Sequence, residues 1–204
     1  MKFVAESISK NFADFKIFEN ISFEISSGQC LAVTGRNGSG KTTLIRILSN
    51  LIQPNHGKVS LFDDDVLIAK EDRYKYIGFI GPYLELYQDL TARENLEFFA
   101  KMKEVDGYKP CITELMAKLG LAGREDDPVK TYSSGMKQRL KYVFALLNKP
   151  EILFVDEPRS NLDKEGIQTV YDIFTGHKKE KILILATNDS DDLQFADLRM
   201  DLNG

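Results

Sequence analysis

Residues 35–42 read Gly35-Arg36-Asn37-Gly38-Ser39-Gly40-Lys41-Thr42, and Thr43 follows directly. The spacing is Gly, four residues, Gly, Lys, then Thr, the pattern of a loop that wraps phosphate. Gly35, Gly38 and Gly40 admit backbone angles that a side chain would forbid, so successive N–H groups can turn inward around oxygens. Upstream, Cys30 to Val33 is a short apolar run; downstream, Leu44, Ile45, Ile47, Leu48 and Leu51 keep the helical period. Strand, glycine loop and helix therefore follow one another, and the helix aims its positive end at the same anion. A glycine-rich turn that merely caps a helix is the plainer alternative. In the phosphate reading Lys41 reaches the β- and γ-phosphates, Thr42 ligates Mg²⁺, and Arg36, Asn37, Ser39 and Thr43 line the nucleotide.

A second motif answers the first. Ile152 to Val155 and Ile182 to Ala186 have the length and unbroken hydrophobicity of strands buried on both faces of a parallel sheet. The first of them ends in Asp156-Glu157-Pro158, which puts two carboxylates at the carboxyl edge of the sheet, where open α/β folds bind ligands. Asp156 suits the Mg²⁺ shell, and Glu157 is placed to take a proton from an attacking water. Alone, two acids after a strand are as easily a surface turn.

Outward from these motifs, Lys164 to Thr175 reads as a helix between the two buried strands, and Asn20 to Ile25 alternates as a half-buried strand with one wet face. The region from Tyr83 to Lys149 reads as helical throughout, carried by Leu96, Phe99 and Ala100, then Ile112, Leu115, Met116 and Leu119, then Met136, Leu140, Val143, Phe144 and Leu147. The expected fold is α/β: one domain over 1–204, a P-loop NTPase core with a mixed sheet and N-terminal antiparallel strands, interrupted by an all-helical subdomain at 83–149. With 204 residues, 43% hydrophobic and 28% charged, the chain can bury one sizeable core.

A net charge of −4 gives no basic excess for nucleic acid or anionic lipid. No apolar run approaches the roughly 18 residues of a membrane span, and the start MKFVAESISKNF lacks the regions of a secretory signal, so a cytoplasmic location is expected. Cys30 and Cys111 belong to no metal or disulfide pattern and read as reduced packing residues. His56 and His177 stand alone in Gly- or Lys-rich stretches and read as surface turn residues.

Tyr132-Ser133-Ser134-Gly135-Met136-Lys137-Gln138-Arg139 is again a helix start, with serines suited to the cap and a glycine that lets backbone approach a phosphate. Read by itself it is a serine cap on a core helix. Beside the other two motifs it resembles the signature motif of the ATP-binding cassettes of ABC transporters, and that resemblance covers essentially the whole chain. It implies ATP and Mg²⁺ as ligands. It also implies a homodimer, or a heterodimer with a similar subunit, in which Ser133, Ser134 and Gly135 bind the γ-phosphate held by the opposite cassette. Asp163, in Ser160-Asn161-Leu162-Asp163, would communicate across that dimer, and Phe12 would stack on adenine unless it is simply a core aromatic. Leu90 to Leu96 resembles the start of the helical subdomain, which in the family docks an integral membrane subunit. The chain would thus sit peripherally at the inner face of the cell membrane, with no nucleic acid as partner. It resembles the short stand-alone cassettes that include the haem-export subunit of cytochrome c maturation.

Two positions depart from the family pattern. An ungapped alignment of Ile77 to Leu96 puts Pro82 where the family carries a glutamine, and Asn188 stands where it carries a switch histidine. Proline can neither touch Mg²⁺ nor orient water, and asparagine donates a hydrogen bond but carries no proton. The leading expectation is an ATPase subunit with catalytic Glu157 and Lys41, powering transport through a separate membrane polypeptide. The alternative is an ATP-gated regulatory module with little hydrolysis; a cassette acting on ribosomes or DNA fits the length less well.

Overall fold

Alternate residues of the buried strands face two different cores, and that division organises the molecule. The computed structural model describes residues 1–13 and 15–202. In chain order its elements are β1 (Lys2–Phe12), β2 (Phe15–Ser26), β3 (Cys30–Thr34), α1 (Lys41–Leu48), β4 (His56–Asp63), β5 (Val66–Leu67), β6 (Ile77–Ile80), α2 (Ala92–Met102), α3 (Tyr108–Lys118), α4 (Ser134–Leu146), β7 (Ile152–Asp156), α5 (Lys164–Lys178), β8 (Ile182–Ala186) and β9 (Leu198–Asp201).

The antiparallel strands form one sheet, ordered β2-β1-β4-β5, and the parallel strands another, ordered β6-β7-β8-β3-β9. Every residue of β7 and β8 is buried, so both sheet faces must be covered. Ile152, Phe154, Ile182 and Ile184 pack with α1 and with Phe3, Ile8 and Ile25 of the antiparallel sheet. Leu153, Val155, Leu183 and Leu185 face the other way, onto Leu140, Tyr142 and Val143 of α4 and Val170, Ile173 and Phe174 of α5. A wet-faced antiparallel sheet, a dry parallel sheet and a helical layer result.

Parallel pairing also lines up the carboxyl ends of the strands. Val33 of β3 and Asp156 of β7 both lie opposite Ala186 of β8. The loops that follow these strands, carrying the glycine motif, the acid pair and Asn188, therefore leave the same sheet edge.

The helical insert is shorter than its hydrophobic pattern suggests. Tyr83 to Leu90 is non-helical, α2 starts only at Ala92 under a Thr91–Glu94 capping box, and α3 ends at Lys118. Between α3 and α4 the chain turns at Gly120 and Gly123, both at positive φ, and passes Pro128 in a bridge to Thr91 before one 3-10 turn. Glycine in the left-handed region and a proline without an N–H stop helices that apolar spacing alone would continue. His177 also departs from expectation: it lies in α5 with its imidazole Nε2 beside the carbonyl of Ile182, and burial depresses its pKa to about 4. Cys30 is buried and Cys111 half-buried, both free.

Candidate functional site

The loop after β3 is shaped by close contacts that leave no room for side chains. A Cβ on Gly40, at φ 100°, would strike Ile17 and Phe18 of β2, and one on Gly35 would strike the Ser39 hydroxyl. Gly40 is the N-cap residue of α1 and brings no side chain to the cap, so the first amides of that helix are left for an outside acceptor. Lys41 is buried, and its ammonium donates to the carbonyls of Gly35 (2.8 Å) and Arg36 (3.2 Å), which holds it over the loop.

Asp156 ends β7 at 1% exposure, and neither of its carboxylate oxygens has a hydrogen-bond partner among the described residues. An ionised carboxylate buried this way carries a large desolvation cost unless a cation or donor reaches it. Burial pushes its pKa above the usual aspartate range, and the nearby Thr42 hydroxyl and Lys41 charge oppose the shift. Thr42 is thus close enough to influence the carboxyl, while the geometry leaves both oxygens free to ligate. One carboxylate and one hydroxyl are a sparse set, and among the described residues no group of three or more His, Cys, Asp or Glu could hold a metal by itself. That fits Mg²⁺, which keeps waters and takes its remaining oxygens from substrate phosphates.

Glu157, the next residue, sits at φ 57° with its N–H donating to Ala186 O, so the chain turns sharply, and the residue lines the cleft of the glycine loop. Burial raises its pKa above the ordinary glutamate value, Lys41 lowers it, and Asp156, Asp192 and Asp189 raise it again. A carboxylate with raised proton affinity is a better base toward water. Lys41, Thr42, Thr43, Asn37, Gly38, Gly40 and Glu157 share the lining of one cleft of about 350 Å³.

The loop after β8 closes the same edge. Asn188 donates its side-chain amide to Asn37 Oδ1 of the glycine loop. Its flanks are fixed from below: Thr187 donates its hydroxyl to the buried Asp192, Tyr171 donates to the same carboxylate at 2.7 Å, and the Asp189 amide donates to Thr187 Oγ1. Arg159, just past the acid pair, bridges to Asp189 and Asp191 and so ties the two loops together. Asp192, Tyr171 and Arg159 were not legible in the sequence, because their roles arise from contacts across the fold.

The remaining expected residues lie elsewhere. Ser133 is the N-cap of α4, its hydroxyl accepting from the Met136 amide at 3.2 Å; Ser134 is exposed beside it, and Gly135 brings the helix start against Asn161 O. Asp163 caps α5, accepting from the Gly166 amide at 2.8 Å. None of these lines the cleft of Lys41. Phe12 is 52% exposed at the end of β1, its ring under the Lys10 ammonium at 5.0 Å, so it is not a core aromatic. Pro82 is exposed and also outside the cleft, but its neighbour Tyr83 lines it, with the Arg46 guanidinium 5.3 Å from the ring centroid. Reading one residue short missed Tyr83; adjacency to Pro82 was the only signal in the sequence.

The ABC transporter family pattern matches residues 18–160. The cytochrome c biogenesis ATP-binding export protein CcmA of Vibrio cholerae is 34% identical over 181 residues, covering 89% of this chain and 86% of that protein. The lipoprotein-releasing system ATP-binding protein LolD of Protochlamydia amoebophila is 34% identical over 199 residues, covering 91% and 86%. Among solved structures, an ATP-binding subunit of an ABC transporter superposes with a TM-score of 0.88 at 24% identity, over 98% of this chain and 85% of that one. A dimeric cassette in a post-hydrolysis state bound to ADP and phosphate superposes at 0.86 with 22% identity, over 98% and 93%.

Proposed function

Because the chain belongs to the ABC transporter family, in which it is an ATP-hydrolysing cassette, we propose that it hydrolyses Mg-ATP at the edge of its parallel sheet and does so as a dimer. The observation that carries this reading is the pair of free carboxylate oxygens on buried Asp156, in register with the glycine loop. The uncapped amides of α1 and Lys41 hold the β- and γ-phosphates. Asp156 and Thr42 would hold Mg²⁺, which when bound offsets phosphate charge. Glu157 accepts a proton as the water oxygen bonds to the γ-phosphorus, and the bond from that phosphorus to the bridging oxygen breaks, leaving ADP and phosphate.

In this reading the site is completed by a second chain. Ser133, Ser134 and half-buried Gly135 start a helix outside the lining of the Lys41 cleft, with both serines exposed. A second cassette packed head to tail would bring them there, with Asp163 at the seam. No described helix is long and apolar enough to cross a membrane. In this reading a separate integral membrane subunit, of the kind implied by relatives named for export and release, forms the pore and holds this chain at the membrane. The relatives of this chain are named for different systems, cytochrome c biogenesis export and lipoprotein release.

The test is phosphate release by the purified protein. Turnover is expected to require Mg²⁺ and to fall about 10²- to 10⁴-fold in Glu157→Gln while Mg-ATP binding persists. Because Glu157 must be ionised to act and its pKa is raised, wild-type turnover is expected to fall on acidification above the ordinary glutamate value of 4.5. Equal rates in wild type and variant would refute the assignment and favour an ATP-gated module without hydrolysis.

A further inference from the structure

Tyr83 is a large aromatic left 66% exposed in the turn after β6, yet its surroundings are ordered on two sides. Its ring lies against Arg46, one helical turn past Thr42 on α1, so the guanidinium on the ring face ties the turn to the helix that begins at the glycine loop. On the other side Lys141 of α4 donates to Gly81 O at 3.3 Å, and the Leu84 amide closes the turn onto the same carbonyl at 3.1 Å. Gly81 itself is packed between the Phe79 ring and Asp156, where a side chain would clash. Tyr83 lines the cleft that holds Lys41, Thr42 and Glu157, and no hydrogen bond engages its hydroxyl among the described residues.

We infer that Tyr83 is the γ-phosphate sensor of this cassette: its phenolic O–H donates a hydrogen bond to a terminal phosphate oxygen of bound ATP, a bond for which Pro82 beside it has no donor. The inference rests on the hydrolytic reading above. A phenol is a neutral donor that adds no charge beside Glu157, and it reaches further than the proline before it. Lys41 and Thr42 fix the β- and γ-phosphates on one wall, and Glu157 marks the side from which water attacks. A donor on the wall shared by both meets the terminal phosphate and leaves the β-phosphate to the loop amides. Arg46 supports the ring without occupying its hydroxyl, and α4 holds the turn through Lys141, so loss of the γ-phosphate is passed directly to the helix that starts at Ser133.

The test compares Mg-ATP with Mg-ADP by calorimetry in a Glu157→Gln background, which stops hydrolysis during the titration. Tyr83→Phe keeps the ring on Arg46 and removes only the hydroxyl. Affinity for Mg-ATP is expected to fall about 10- to 100-fold, the range for a hydrogen bond to a charged acceptor, with Mg-ADP unchanged within about twofold. Equal affinities in parent and variant, or equal losses for both nucleotides, would overturn the inference and leave the ATPase reading standing. A parent that binds neither nucleotide would overturn both.

Discussion

Two helix starts in this molecule are both expected to meet phosphate, and they are built in opposite ways. The start of α1 is uncapped by any side chain, follows a glycine at φ 100°, and faces a buried carboxylate with two free oxygens. The start of α4 is satisfied from within: Ser133 accepts from its own helix, and the exposed Ser134 and half-buried Gly135 beside it leave no buried side chain unpaired. The difference separates a site the fold pre-organises at a cost from one that is complete in isolation and becomes a phosphate donor only when another chain presents its nucleotide. Asp163, capping α5 while exposed, belongs to the second kind.

Replacing the cap serine sharpens this contrast most. Ser133→Ala is expected to lower turnover about 10- to 100-fold in the assembled dimer, since it removes a donor to transition-state charge. It should also cost about 1 kcal/mol of folding stability through the lost cap. Thr91→Ala, at the capping box of α2 and away from any phosphate, is expected to cost about the same in a melt while turnover is retained. If both variants lose turnover alike, Ser133 acts only as a cap and the second-chain role fails.

A smaller effect of unusual sign tests the other side. The raised pKa of Asp156 means that the folded state binds a proton more tightly than the unfolded chain, so its ionised form costs stability at neutral pH. That cost is present above the unfolded value and disappears as pH falls below it. Asp156→Asn is accordingly expected to raise nucleotide-free stability at pH 7 by about 1 kcal/mol. It is also expected to remove most of the gain in ATP affinity that Mg²⁺ provides. A melting temperature lowered by the substitution would mean that the carboxylate is structurally satisfied and not held in waiting for a cation.

Much of this was legible in the sequence, for a physical reason. The glycine loop, the acid pair and the strands Ile152–Asp156 and Ile182–Ala186 are local patterns, in which residue type and spacing fix the backbone. The parallel sheet then needs only pairing to bring Val33 and Asp156 to one edge. What stayed hidden depends on distant contacts. The antiparallel pairing of β1 with β4 joins residues more than 40 positions apart, such as Phe3 with Leu61. The Asp192–Tyr171–Thr187 network holds Asn188 from three elements. Tyr83 gains its place from Arg46 on one side and Lys141 on the other. The insert reads as helix throughout in the sequence because apolar spacing runs to Leu119 and resumes at Met136, while Gly120 and Gly123 at positive φ end the helical path between them.

The central claim is that the amides around Lys41 and the acids at Asp156 and Glu157 face one triphosphate. Calorimetric titration with Mg-ATP tests it most directly, on the wild-type chain and on Lys41→Ala. The account predicts saturable binding at one nucleotide per chain, with affinity lost about 100-fold or more when the lysine is removed. No heat with the wild-type protein, or the same affinity in Lys41→Ala, would contradict it.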